Sequence, residues 1–450
     1  QETELTFMLW TGLEGGGPRR EQRHRVSQAE IGYLHKAADQ FYYYAKAVAE
    51  TIGLLEKDRC ERYELMQALD KALLEINWDA DAFHRTVEDA LTVLLEELGR
   101  LEKRSDITVH CVGHTHIDVA WLWRLKHTRE KAMRSFSTVL RLMEEFDEYI
   151  FLQTQPQLYR YIQEDCPELF AKIREKVREG RWEADGGMWL EADCNVTSGE
   201  SLARQFQHGI RYLKNEMGVT CQYLWLPDVF GYSWALPQIM KLCGLKTFMT
   251  TKISWNQFNT IPNDLFWWRG MDGSEVLTYF IEVPGEGASF DNRYSTYNGY
   301  LNPHSVIGSW KKFKNKEISH DTLISYGYGD GGGGVNRDML KMRRAMDAIP
   351  GLPHVKTGTA AEFFDGIHRD ASAAGTEVAT WDGELYLEYH RGTYTTQAHN
   401  KKMNRLLEFK LAQAEWLSSM AYLSGGIYEG GALYDCWETV LRNQFHDIIP

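Results

Sequence analysis

The chain has 450 residues, and 50 Lys+Arg against 63 Asp+Glu leave a formal net charge of −13, which excludes nucleic acid as the main partner because phosphate binding is driven by cationic surface. A hydrophobic share of 43% beside 25% charged residues and only 11 Pro excludes a disordered chain and describes a soluble, folded one. No run approaches the ~18 apolar residues of a membrane span, and the first residues, Gln1-Glu2-Thr3-Glu4-Leu5-Thr6, carry no basic-then-apolar leader, so neither a membrane partner nor export is expected.

Residues 27–103 are predicted to be helical, with apolar residues recurring three and four apart from Ile31 to Leu55 and again from Phe83 to Leu101. At 107–112 the texture changes to a short β-branched run, followed by a His/Asp-rich turn and a helix over 124–146. Further strands are predicted at 149–152, 182–184, 221–225, 246–249, 276–280 and 322–326, with helices at 167–177, 199–214 and 337–346 between several of them. After about Thr395 the pattern is helical again, over 398–423 and 434–444, and no repeat or low-complexity segment is visible. Such alternation predicts an α/β domain with a mostly parallel sheet, whose loops after the strand C-termini carry the chemistry. Seven cysteines (Cys60, Cys111, Cys166, Cys194, Cys221, Cys243, Cys436) at irregular spacing, with no Cys-x-x-Cys pair, read as reduced thiols of a cytoplasmic protein.

The densest polar constellation is His114-Thr115-His116-Ile117-Asp118, directly after the strand at 107–112. If that segment stays extended, side chains two apart share a face, so His114, His116 and Asp118 would point the same way as zinc ligands; the alternative is a polar loop whose histidines only hydrogen-bond. Asp228, in Pro227-Asp228-Val229-Phe230-Gly231-Tyr232-Ser233, follows a strand, where it either faces the mouth of the sheet or caps the next helix. In Tyr326-Gly327-Tyr328-Gly329-Asp330-Gly331-Gly332-Gly333-Gly334 the spacing formally fits a dinucleotide-binding turn. Four consecutive glycines and the lack of an acidic residue ending the next strand-like piece speak against that match. What remains is a carboxylate, Asp330, on a backbone able to approach a ligand closely, or a flexible surface turn. The last candidate is His446, in Asn443-Gln444-Phe445-His446-Asp447, which by itself reads as a structural histidine near a helix end.

Taken together and in this order, from about Ile107 to Asp447, these segments resemble the family 38 glycoside hydrolases, the retaining α-mannosidases. Gly186-Gly187-Met188-Trp189, Ser198 to Leu202 with Arg204-Gln205, and Gly383-Glu384-Leu385-Tyr386 leading to His390-Arg391-Gly392-Thr393-Tyr394 add to the likeness. The Gly-Asp-Gly-rich form is similar to the cytosolic, vacuolar and bacterial subgroup. The resemblance implies an irregular parallel (β/α) barrel-like catalytic domain over 106–390, a helical N-terminal region over 1–105, and the start of a three-helix bundle over 391–450 with large β-domains beyond. It implies one zinc held by His116, Asp118, Asp228 and His446, which moves His114 to a supporting partner and raises His446 to a ligand; cobalt suits the same donors. Asp228 would also be the nucleophile and Asp330 the acid/base carboxyl, with Trp121, Phe230, His390 and Asp447 against the sugar. The expected ligand is an α-mannoside or mannose-containing oligosaccharide, and a homo-oligomer is compatible with the sequence.

Retaining hydrolysis takes two carboxyl groups about 5–5.5 Å apart, one ionised to attack the anomeric carbon and one protonated to give its proton to the departing oxygen. A cation beside Asp228 favours the charged form of that group. In mannose the 2- and 3-hydroxyls are cis, so one ion can reach both. The nearest rival is a zinc-dependent carbohydrate deacetylase or other zinc hydrolase activating water, and a more distant one is a non-catalytic sugar-binding protein.

Overall fold

The computed structural model describes residues 32–450, so residues 1–31 of the predicted N-terminal helical region lie outside it. Among the described residues three helices come first, Lys36–Leu54, Cys60–Leu74 and Ala80–Arg100. Each buries one stripe: Leu65, Ala68 and Ala72 on the second meet Val87, Ala90, Leu91, Leu94 and Leu98 on the third, at the three-and-four spacing that puts side chains on one helix face. The first helix also docks on the α/β part, through Tyr43 bonded to Asp338 and Lys341 paired with Asp39 at 2.8 Å.

Ten strands follow: β1 Thr108–His114, β2 Phe151–Gln153, β3 Trp182–Ala184, β4 Tyr223–Trp225, β5 Thr247–Thr250, β6 Leu265–Arg269, β7 Glu275–Phe280, β8 Asp321–Tyr326, β9 His354–Thr357 and β10 Thr380–Asp382. They form two five-stranded sheets, β3-β2-β1-β8 with β9 also on β1, and β10-β6-β7-β5-β4. Every ladder is parallel except β6 with β7. Helices cover the sheets, and the central strands are buried on both faces: β1 is buried at all positions after Thr108, as its run of Val, Cys and Gly requires.

The two sheets complete a barrel-like α/β core without one continuous ladder. At one seam the Tyr223 hydroxyl of β4 donates to Glu183 of β3 at 2.9 Å. At the other the backbone N–H of Leu323 in β8 donates to the Tyr279 hydroxyl of β7 at 3.1 Å. Between them the core is aromatic, with Trp225 edge-on to His114 and Tyr223 packed on Phe364.

The chain ends in two helices, Ala398–Leu423 and Gly430–Asn443, packed against each other and against the helix Gly199–Tyr212. Arg204 holds Glu415 with two bonds of 2.8 and 2.6 Å and lies over the Trp437 ring, whose Nε1–H also donates to Glu415. The opposite face leaves Phe409, Trp416, Leu417, Met420 and Leu423 exposed. Beyond the second helix the backbone runs antiparallel to residues 191–193: Asp193 N–H donates to the Gln444 carbonyl at 2.9 Å and His446 N–H to that of Glu191 at 3.2 Å.

Candidate active site

His116 and Asp118 follow the C-terminal end of β1, Asp228 that of β4, and Asp330 that of β8, which is where an α/β sheet gathers its functional groups. His446 joins them from the end of the last helix, carried by the backbone pairing with Glu191. One donor atom from each of His116, Asp118, Asp228 and His446 lies within 4.8 Å of the others, and all four residues are buried. His116 Nε2 is 2.8 Å from Asp118 Oδ1 and 3.6 Å from Asp228 Oδ2, while His446 Nε2 is 3.6 and 3.5 Å from the same two atoms.

These residues fit a divalent metal. His446 Nε2 is buried without a hydrogen-bond partner, and two imidazole nitrogens with two carboxylate oxygens are a donor set that zinc accepts. Burial works against charge here, yet the Glu191 and Asp118 carboxylates raise the His116 pKa well above its ordinary value. Asp447, Asp118 and Asp228 do the same for His446. Against its own burial, Asp228 is held well below the usual carboxylate range by Lys252 and the two histidines. Protons on the imidazoles thus balance the carboxylates, and a metal ion competes for the same nitrogens.

His114 is not part of this group, contrary to the alternation read from the sequence. β1 ends at His114, whose ring lies among the core side chains behind the strand end rather than with His116 and Asp118. Its ring packs against Trp225, Nδ1 donates to the Leu152 carbonyl at 2.9 Å, and burial pushes its pKa down to about 3, which keeps it neutral. Asp228 makes no helix cap; its Oδ1 is bonded to the ammonium of Lys252.

The glycine loop is an ordered turn, closed by two backbone bonds of 2.8 Å between Tyr328 and Gly334. Asp330 sits in it with φ 57°, in the left-handed region. Asn298 Nδ2 and the Tyr297 hydroxyl donate to Asp330 Oδ1 at 2.9 and 3.3 Å, and the Asp330 carbonyl accepts from Asp118 N–H at 2.9 Å. Tyr297 is itself buried edge-on to His116, and its burial together with the Asp228 and Asp330 carboxylates raises its hydroxyl pKa well above the ordinary value. A Cβ on Gly329 would lie 1.9 Å from Asn298 Oδ1.

Phe230 lies edge-on to both His446, at 6.2 Å, and His390, at 5.0 Å. His390 is exposed at the mouth, with its backbone at φ 63°. Asp447 is pushed up to about 6 by burial and by Asp118 and Asp228, with His446 opposing. Trp121 stands half exposed on the loop after Asp118, edge-on to Trp123.

Residues 106–384 match the glycosyl hydrolases family 38 N-terminal domain. The chain belongs to glycosyl hydrolase family 38. Residues 388–450 match the alpha mannosidase middle domain. Among curated relatives, alpha-mannosidase G of Dictyostelium discoideum is 35% identical over 431 residues, covering 96% of this chain and 38% of the relative. Alpha-mannosidase of Saccharomyces cerevisiae is 41% identical over 352 residues, covering 76% and 31%, and alpha-mannosidase 2C1 of Homo sapiens is 35% identical over 447 residues, covering 97% and 41%. The family 38 chain therefore spans less than half the length of these relatives. In fold it is similar to an alpha-mannosidase from Enterococcus faecalis V583, with a TM-score of 0.64 over 76% of this chain and 39% of that one, at 21% identity.

Four site residues of this family 38 chain escaped the sequence reading. Lys252 follows β5, and a lysine at the end of an apolar and threonine-rich strand was a signal available to find it. Glu191, two residues past the Gly186–Trp189 motif, and Tyr297 and Asn298 lie on long connections, and only the three-dimensional arrangement brings them to the His116, Asp118, Asp228 and His446 group.

Proposed function

We propose that the protein hydrolyses terminal α-mannosides with retention of configuration, using one zinc held by His116, Asp118, Asp228 and His446. The observation that carries this reading is the convergence of those four side chains on one buried point, with Asp330 tied to Asp118 through the backbone. The names of the curated relatives, all alpha-mannosidases, support the substrate class. When bound, the ion supplies positive charge beside the nucleophile and binding for vicinal sugar hydroxyls.

Asp228 is ionised by its lysine and histidine neighbours and attacks the anomeric carbon. The bond from that carbon to the glycosidic oxygen breaks as Asp330 gives its proton to the departing oxygen. Water then gives a proton back to Asp330 and its oxygen to the anomeric carbon, freeing Asp228 from the mannosyl ester and restoring the original configuration. Asn298 and Tyr297 both donate to Asp330 Oδ1, which leaves Oδ2 as the oxygen that carries the transferred proton. Phe230, Trp121, His390 and Asp447 line the sugar, and neutral His114 braces the end of β1.

The same reading divides the chain into an N-terminal region over 1–105, whose described part is helical, a catalytic domain over 106–390 and a helical bundle from 391. The free state of all seven cysteines suits a reducing, cytoplasmic setting. No helix among the described residues is long and apolar enough to cross a membrane. Homo-oligomers are compatible with the site, and cobalt with its donors.

The test is metal content together with initial rates on 4-nitrophenyl α-mannoside, before and after chelation. One ion per chain and loss of activity on its removal are expected. A 5-fluoro mannosyl trapping reagent should label Asp228; an unlabelled enzyme that releases acetate from acetylated sugars would favour the deacetylase reading instead. Asp330→Ala should lower the rate by ~10²–10⁴ on alkyl mannosides, and far less on dinitrophenyl mannoside, whose leaving group needs no proton.

A further inference from the structure

Glu191 is buried among groups that packing alone does not explain. Its side chain is 2% exposed, its Oε2 has no hydrogen-bond partner, and its ion-pair partner among the described residues is His116. An ionised carboxylate taken out of water with a single donor is costly unless positive charge lies close by. Glu191 Oε1 is 3.1 Å from His116 Nδ1. The backbone carbonyl of the same residue is 2.8 Å from His446 Nδ1 and also takes the backbone N–H of His446. Its own N–H donates to Gln155 Oε1 at 3.4 Å, and Gln155 Nε2 donates at 3.0 Å to the carbonyl of Ile117, between two of the ligands.

A carbonyl oxygen can only accept, and a carboxylate oxygen beside an imidazole nitrogen accepts from its N–H. Each imidazole must therefore carry a proton on Nδ1 and turn Nε2 toward Asp118 and Asp228. We propose that Glu191 is the positioning residue of the metal centre: its side chain aims His116 and its carbonyl aims His446, so that both Nε2 atoms already face the point one divalent cation would take. A carboxylate behind a ligating imidazole also makes the ring a stronger donor. A cation held beyond His116 would in turn offset the burial of Glu191, which has no lysine or arginine ion-pair partner among the described residues.

The inference rests on the four residues being a metal centre and goes beyond it by assigning what sets the affinity. The carbonyl arm survives mutation, so the test falls on the side chain. Glu191→Gln keeps the size and one acceptor; Glu191→Leu removes the acceptor. Zinc affinity is measured on the full-length protein by competition with a chromophoric chelator, and the cobalt form is followed by its visible absorption, with thermal melting of the metal-free proteins as the folding control. Glu191→Gln is expected to weaken zinc about tenfold and Glu191→Leu about a hundredfold, with changed cobalt bands. Raising zinc from limiting to saturating should restore kcat of Glu191→Gln by a larger factor than that of the wild type, as expected of a residue that acts through metal affinity. If Glu191→Leu melts early, Glu191→Gln carries the test. A wild-type protein that takes up no ion overturns the metal centre itself. A wild-type protein that loads while the folded variants bind zinc within about twofold of it overturns the assignment to Glu191.

Discussion

Lys252 is enclosed by aromatic rings, with Nζ 3.9 Å from the Trp255 ring centre and 5.9 Å from that of Tyr297, and its ammonium is committed to Asp228 Oδ1. The opposite oxygen, Oδ2, is the one that faces the two histidines. One carboxylate is thus divided between an ammonium and the ligand cluster. Replacing Lys252 by Met keeps the packing on Trp255 and removes the charge. It should lower kcat/KM by about 10²-fold while leaving one ion per chain, a split read by rates beside metal analysis. At this scale the sequence showed which residue types could do chemistry, but their grouping came from the likeness of whole motifs. The spacing of His114, His116 and Asp118 groups the first with the other two, whereas its ring packs on Trp225 and bonds the Leu152 carbonyl, contacts that spacing does not carry. Glu191, Tyr297 and Asn298 act through partners at least thirty residues away, and no local pattern announces that.

Among the elements, the turn after β8 and the C-terminal helix pair decide whether the site exists. Gly327 has φ 132°, and a Cβ there would lie 2.2 Å from the His114 carbonyl, a backbone atom that cannot swing away. Gly327→Ala should therefore destabilise the protein by roughly 1–3 kcal/mol and move Asp330, which denaturant melts and rates on alkyl mannosides would show together. His446 reaches the cluster from beyond the helix Gly430–Asn443, while the other three ligands stand on the α/β part. A bound ion consequently ties the helix pair to the sheets. Chelation is expected to raise hydrogen exchange over 398–446 more than over β1 and β8, whereas equal change in both regions would count against this coupling. Most elements were readable from β-branched runs and helical periods: 182–184, 337–346 and 398–423 match the observed bounds. β6 was missed because Leu265-Phe266-Trp267-Trp268-Arg269 has no β-branched residue, and with it went the one antiparallel pair of an otherwise parallel arrangement. The helix Pro303–Lys312 was missed as well, its start being set by Asn302 accepting from Ser305 N–H rather than by apolar period.

For the molecule as a whole, acid should be destabilising through buried neutral histidines. His208 is 3% exposed, stacks on Tyr434 at 4.3 Å between the helices Gly199–Tyr212 and Gly430–Asn443, and is pushed down to about 4 by burial and by Arg204 and Arg211. Because its folded value lies below its ordinary 6.5, the unfolded chain takes up the proton first as pH falls. Its contribution is complete above about pH 6.5 and is lost progressively down to about pH 4. His208→Gln should flatten the dependence of Tm on pH across that window, as differential scanning calorimetry at several pH values would reveal. The sheet class was legible from the alternation of strands and helices, but the division into two sheets was not. The seams carry side-chain bonds, Tyr223 donating to Glu183 and Tyr279 accepting from Leu323 N–H, which leave no periodic trace.

The ligand set straddles two stretches that match separate family descriptions, 106–384 and 388–450. Those stretches are therefore poor units for recombination between distant relatives. A chimaera that keeps all four ligands but pairs a foreign 191–193 with the native 444–446 inherits a misaligned imidazole, so the two pieces are constrained to diverge in step.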